Sequence, residues 1–314
     1  MTSPDELLGR LRGEAGLDLA GLTPTEAGES RSAFWVTDRA GTVSLLKLAP
    51  GPGPEALAYL RALQATLARL TERGYPAPRW EAVGLAGGQA FWIQERISGA
   101  ALETSGARPH RALIGRLLPE LFRLNDAQAG LGVPGHGPGW PELITRTLTG
   151  GGDGYCVHAT LDRPGLRDLL DAIRRTGAEC GPALPPGGDF VHYDFNLANL
   201  LSDGRVITGV IDLNPPLLAG DRAFDLATLL YYVYDCPELA GPLSERLYGL
   251  AGEPAARAYL AHMALRQAEW SLRCYPEAAA TRRHVRLARL VVASFHHPAA
   301  ILDDGQPGAA VVGD

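Results

Sequence analysis

The chain is poor in cysteine and lysine, has no long apolar run and carries no surplus of positive charge; each shortage removes a class of function. Its four cysteines, Cys156, Cys180, Cys236 and Cys274, lie far apart with no CxxC pair, which leaves neither a paired-cysteine zinc site nor a disulfide framework. Free, mostly packed thiols are expected. No apolar stretch reaches the roughly 18 residues of a membrane-crossing helix, and the acidic opening MTSPDE lacks the basic and apolar regions of a secretion signal. A cytoplasmic protein with no membrane partner is expected. With a formal charge of −6, the chain has no electrostatic footprint for wrapping nucleic acid, which takes a basic surface.

What is present is enough apolar material for a large core: 46% of 314 residues, more than one typical domain, so two lobes are expected. In the first hundred residues, short strands at 32–37 and 42–48 flank the turn Asp38-Arg-Ala-Gly41. A helix follows over 54–73, with Leu57, Leu60, Leu63, Leu67 and Leu70 at three-to-four-residue spacing and Gly74, Pro76 and Pro78 as its stop. A strand at 90–95 leads to Ser98-Gly99, the expected boundary between an N-lobe of residues 1–97 and a C-lobe of 98–314. Residues 111–128 read as a periodic helix, and 130–154 as mainly loop because glycine and proline are so frequent there. Within that loop, TGGGDG at 149–154 is no phosphate-binding loop: no GK[ST] follows and no strand precedes it. Residues 221–295 read as helices, and the tail from 303 on as frayed.

The informative stretch is FVHYDFNLANLL at 190–201, followed by Ser202-Asp-Gly204 and a strand at 206–212. An apolar pair enters a polar loop, a hairpin turns the chain at Asp203-Gly204, and the second strand brings Asp212 back beside Asp194 and Asn199. The order H-x-D-x-x-x-x-N with a later aspartate at a strand end is the arrangement by which kinases position a hydroxyl and a metal-bound phosphate. Asp194 would accept the hydroxyl proton. Asn199 and Asp212 offer the hard oxygen donors that Mg²⁺ prefers, and His192 would orient the loop. Taken singly, each has an ordinary structural reading as a turn or cap residue; joined at these spacings they are a catalytic signature.

These residues, with Val210-Ile-Asp212 and GDRAFDLA at 220–227, resemble the C-lobe signatures of the aminoglycoside phosphotransferase family. The resemblance implies an α+β, bilobal protein-kinase-like fold with a small β-rich N-lobe and a larger helical C-lobe. It implies ATP or GTP as co-substrate with Mg²⁺, Lys47 on the α- and β-phosphates, and the nucleotide loop at Gly28 and Ser30. The backbone of Glu95 and Ile97 would meet the base. Asp225 would support the catalytic loop. The glutamate that the family pairs with the lysine falls at Gln64 by position, and the nearest upstream acid, Glu55, sits where a helix dipole favours any carboxylate. Tyr193 stands where glycine is common.

The implied activity is transfer of a γ-phosphoryl group to a hydroxylated small molecule, with antibiotic inactivation the leading role. A metabolic kinase of the choline, homoserine or sugar-amine type and a silent pseudokinase are the alternatives. A protein substrate is excluded by space: twelve residues separate Asp212 from Asp225 and no A-P-E follows. Arg266, Arg273, Arg282, Arg283, Arg286 and Arg289 face only Glu269 and Glu277 in their stretch, so an acceptor less cationic than an aminoglycoside is expected, with Trp270 and Tyr275 as possible stacking surfaces.

Overall fold

A computed structural model describes residues 3–25, 32–103, 110–133, 138–152, 154–213 and 218–295. Its first third is a sheet between two helices. Helix α1 (Pro4–Gly13) opens with Ser3 accepting the Glu6 amide, and β1 (Leu19–Pro24), β2 (Ala33–Asp38) and β3 (Val43–Leu48) follow. Helix α2 (Gly53–Glu72) then crosses the sheet before β4 (Trp80–Ala86) and β5 (Gln89–Glu95). The strands are antiparallel in the order β1-β2-β3-β5-β4. Leu7 and Leu11 of α1 pack with Phe34, Val36 and Leu46 on one face of this sheet. Leu60, Leu63 and Leu67 of α2 belong with Trp80 and Trp92 to a second cluster that continues into the C-terminal helices. Alternation along the strands thus gives each face its own helix.

The chain enters the larger part through Gly99, whose φ of +142° and closeness to Thr208 leave no room for a Cβ. Strand β6 (Ala100–Ala101) pairs with β8 (Leu200–Ser202), which pairs with β9 (Ile207–Val210). Strand β7 (Asp189–Val191) pairs with β10 (Leu218–Gly220). Around these small sheets lie α3 (Arg111–Ala127), α4 (Trp140–Gly150), α5 (His158–Leu161), α6 (Arg167–Cys180), α7 (Ala223–Val233), α8 (Pro237–Cys274) and α9 (Ala279–Ser294). Helix α8 breaks at Gly252, which has φ +73° and is followed by Pro254.

Helix α4 corrects the expectation that 130–154 is mainly loop. Its proline is Pro141, in the first turn, where the missing N–H costs no intrahelical bond. Trp140, Ile144 and Leu148 then recur at four-residue spacing and are all buried.

Candidate active site

The loop after β7 is held by one carboxylate. Asp225, fully buried on α7, accepts the amides of His192 at 2.9 Å and Tyr193 at 3.0 Å and the Gln128 side chain at 2.6 Å. Burial pushes its carboxyl up, and the nearby His192 and the N–H donors offset part of the shift. His192 ties the two halves of the hairpin together: its Nδ1 accepts the Asp194 amide at 3.3 Å, so Nε2 carries the proton given to the Ile211 carbonyl at 2.8 Å. Asn196 caps a short 3₁₀ turn (Leu197–Asn199) by accepting the amides of Ala198 and Asn199.

These contacts gather Asp194, Asn199 and Asp212. The Asn199 amide nitrogen donates to the Asp194 carbonyl at 2.9 Å and to its Oδ2 at 3.1 Å, leaving the amide oxygen as the group Asn199 can offer a ligand. Asp212 has φ +63°, an uncommon conformation for a non-glycine residue that turns the chain at the end of β9. Its Oδ1 lies 2.6 Å from the Nζ of Lys47, which arrives from β3. Lys47 is the only lysine in the chain. Lys47, Asn199 and Asp212 line one cleft of about 760 Å³ together with Glu95 and Ile97, a volume in the range of small-molecule sites.

The Glu95 amide is committed to the Arg79 carbonyl and its carboxylate to the Arg79 amide. The Ile97 amide makes no bond within the described residues. Gly28 and Ser30 lie outside those residues. Lys47 meets Asp212, while Gln64 gives its amide to the Trp80 carbonyl at 3.4 Å and Glu55 is exposed in the first turn of α2.

A residue that sequence reasoning left in an undifferentiated basic stretch stands beside Asp194. Arg266 of α8 donates to Asp194 Oδ1 at 3.1 Å and to the Tyr193 carbonyl at 2.5 Å. The other arginines of the stretch are spread over separate partners: Arg273 on Glu269, Arg282 on the Glu277 carbonyl, Arg283 and Arg286 on Asp235, Arg289 on the Gly165 carbonyl. Arg282, Arg286 and Arg289 nevertheless line one pocket beside α9. Trp270 and Tyr275 pack edge-on against each other. No helix among the described residues is long and apolar enough to cross a membrane.

No curated protein matches the chain. Solved structures of similar fold include a thermostable mutant of aminoglycoside phosphotransferase APH(4)-Ia with ADP and hygromycin B, at TM-score 0.64 and 19% identity over 90% of this chain and 97% of that one. Another is APH(3'')-Id from Streptomyces rimosus with ADP and streptomycin, at TM-score 0.52 and 19% identity over 85% and 99%. A third is an aminoglycoside phosphotransferase from Alicyclobacillus acidocaldarius, at TM-score 0.56 and 16% identity over 95% and 96%. These likenesses establish the bilobal α+β fold, and a family model matches residues 21–260. The chain belongs to the phosphotransferase enzyme family.

Proposed function

We propose that this chain is a cytoplasmic O-phosphotransferase that moves the γ-phosphoryl group of ATP or GTP to a hydroxyl of a small molecule. The observation that carries the reading is that Lys47, Asn199 and Asp212 line one cleft and that Asn199 is hydrogen-bonded to Asp194. In the proposed reaction the acceptor oxygen bonds to the γ-phosphorus, the bond from that phosphorus to the bridging oxygen breaks, and the nucleoside diphosphate leaves. Asp194 orients the hydroxyl and takes its proton as the new bond develops, an interaction stronger in the transition state than before it. Lys47 supplies positive charge to the α- and β-phosphates. The oxygens of Asn199 and Asp212 fit a hard divalent cation, and Mg²⁺ held there would neutralise charge on the phosphates. The Glu95 carbonyl and Ile97 amide would read the base, which suits either triphosphate. Residues 1–97 and 98–314 would act as nucleotide lobe and acceptor lobe.

The acceptor is proposed to be an antibiotic, as the neighbours' aminoglycosides suggest by analogy, or a metabolite with a free hydroxyl. A polycation is disfavoured. Tyr232 lies in the field of Asp194, Arg266, Glu103 and Arg283. With Asp235 and its partner Arg286 the surroundings of Tyr232 hold three guanidiniums against three carboxylates, no surplus of negative charge to attract several amines. The test is a phosphotransfer screen over hydroxylated antibiotics and metabolites, with both triphosphates, with Mg²⁺ and with chelator. Turnover in chelator would refute the reading. Nucleotide-induced thermal stabilisation without turnover would leave a binding module instead.

A further inference from the structure

Tyr193 occupies the position before Asp194 with φ +70°, a left-handed conformation that costs a bulky residue roughly 1 kcal/mol or more. The surrounding contacts hold it there. Its ring stacks on Phe224 at 5.1 Å with an interplanar angle of 7°. Its hydroxyl lies 3.0 Å from that of Tyr155 and 3.2 Å from Nε2 of the buried His262. The Arg266 guanidinium sits 4.9 Å from the centroid of the same ring, a cation–π arrangement that gains from exclusion of water.

Arg266 therefore has three fixed neighbours: the Tyr193 ring, the Tyr193 carbonyl and Asp194 Oδ1. Its side chain is one-fifth exposed. Burial works against its charged form, and the neighbouring Asp194 carboxylate more than offsets that, so the guanidinium stays charged. A planar fork with donors at fixed angles can hold a carbonyl and a carboxylate at once, which a single ammonium cannot do with the same geometry. On the opposite side Asn199 holds Oδ2 at 3.1 Å. Each carboxylate oxygen of Asp194 thus has its own donor, from different elements, and the plane of the carboxylate is fixed between them.

We propose that Arg266, seated by Tyr193, is a positioning residue for the phosphoryl-transfer reaction: it fixes the Asp194 carboxylate in the orientation that receives the acceptor hydroxyl. The proposal rests on the reading of Asp194 as the proton acceptor. It assigns α8 a part in the chemistry that the motif at 190–201 does not contain. Arg266 acts through Asp194 and so adds nothing once that carboxylate is gone.

A double-mutant cycle tests this. The readouts are nucleoside diphosphate formation from ATP or GTP with Mg²⁺ and the acceptor found by the screen, nucleotide Kd, melting temperature and a crystal structure of the Arg266→Met protein. Arg266→Met should lower kcat about tenfold or more, on the scale of a misplaced reacting group, while nucleotide Kd stays within about twofold. Arg266→Lys should recover part of the loss. In the Asp194→Asn background, Arg266→Met should cost less than about twofold further. In the Arg266→Met crystal the Asp194 carboxylate should have left Asn199. An additive loss in the double mutant, or an Asp194 carboxylate unmoved in that crystal, would overturn the proposal. If Arg266→Met does not fold, the cycle is run with Arg266→Lys, where the same non-additivity is expected. A wild-type protein that binds nucleotide but transfers nothing would refute the functional reading, and the crystal of the variant would still decide whether Arg266 places Asp194.

Discussion

The loop of residues 190–212 is anchored largely by side chains bonded to backbone amides and carbonyls, whereas on α8 and α9 several charged side chains are held by carboxylates. Asp225 takes two consecutive amides, His192 an amide and a carbonyl, and Asn196 two amides. On the helical wall Asp235 holds Arg283 and Arg286, and Glu269 holds Arg273. Backbone anchors depend on chain path and so tolerate few residue types. Pairs between side chains can be exchanged for other pairs without moving the chain, which is where differences in acceptor would be written. Arg266 belongs to both regions, one donor on a backbone carbonyl and one on a carboxylate.

The comparison can be broken first at Asp194. Asp194→Asn should lower kcat by about 10²-fold or more with nucleotide Kd nearly unchanged; a variant with wild-type turnover would end the proposed mechanism. Asp212→Asn should weaken Mg²⁺-nucleotide binding together with turnover, by at least the roughly 10- to 100-fold that losing support at a metal site costs, as read by titration calorimetry. Asp225→Ala tests the backbone anchor itself. It leaves two amides and the Gln128 side chain without their acceptor, so chemical denaturation should show a loss of about 3 kcal/mol. A loss below about 1 kcal/mol would mean that the loop holds its shape without that carboxylate.

A smaller effect concerns pH. Burial first and the Arg266 charge second push His262 down to about 3; burial and Arg283 push His284 down to about 4. Below the ordinary histidine value of about 6.5 the unfolded chain takes up protons that the folded chain refuses. Both groups therefore contribute stability that is present above that value and is lost as the pH falls toward 4 and 3. The denaturation midpoint should drop between pH 6.5 and 5, and His262→Gln should flatten the slope; a flat wild-type profile would contradict the neutral, buried state of these rings. The smallest effect is expected at Arg282, bound to a backbone carbonyl at the surface. Arg282→Ala should change stability by less than about 0.5 kcal/mol and leave turnover unaltered.

Much of the fold was legible wherever a single local rule decided the outcome. The leucine spacing marked α2, the turn at Asp38 marked the β2–β3 hairpin, and the order of polar residues at 190–212 located the loop that brings Asp194, Asn199 and Asp212 together. Helix α4 was hidden because glycine and proline frequency does not distinguish a first-turn proline from one that breaks a helix. Lys47 meeting Asp212 across 165 positions, and Arg266 meeting Asp194 across 72, depend on how lobes and helices pack. No spacing along the chain encodes such distances. The signal for Arg266 that did exist was Tyr193: a large aromatic at a position with positive φ requires partners, and a buried arginine over its ring is one.

The solitary lysine also determines how the molecule meets reagents and alkali. Of 29 basic residues 28 are arginines, since 29 − 1 = 28, and the one ε-amine is 13% exposed. Acylating reagents thus have a single side-chain target, inside the cleft, where a bound triphosphate would shield it. Guanidinium keeps its proton to above about pH 12, so the cationic part of the exterior does not fade through the range in which lysine-rich surfaces lose their charge.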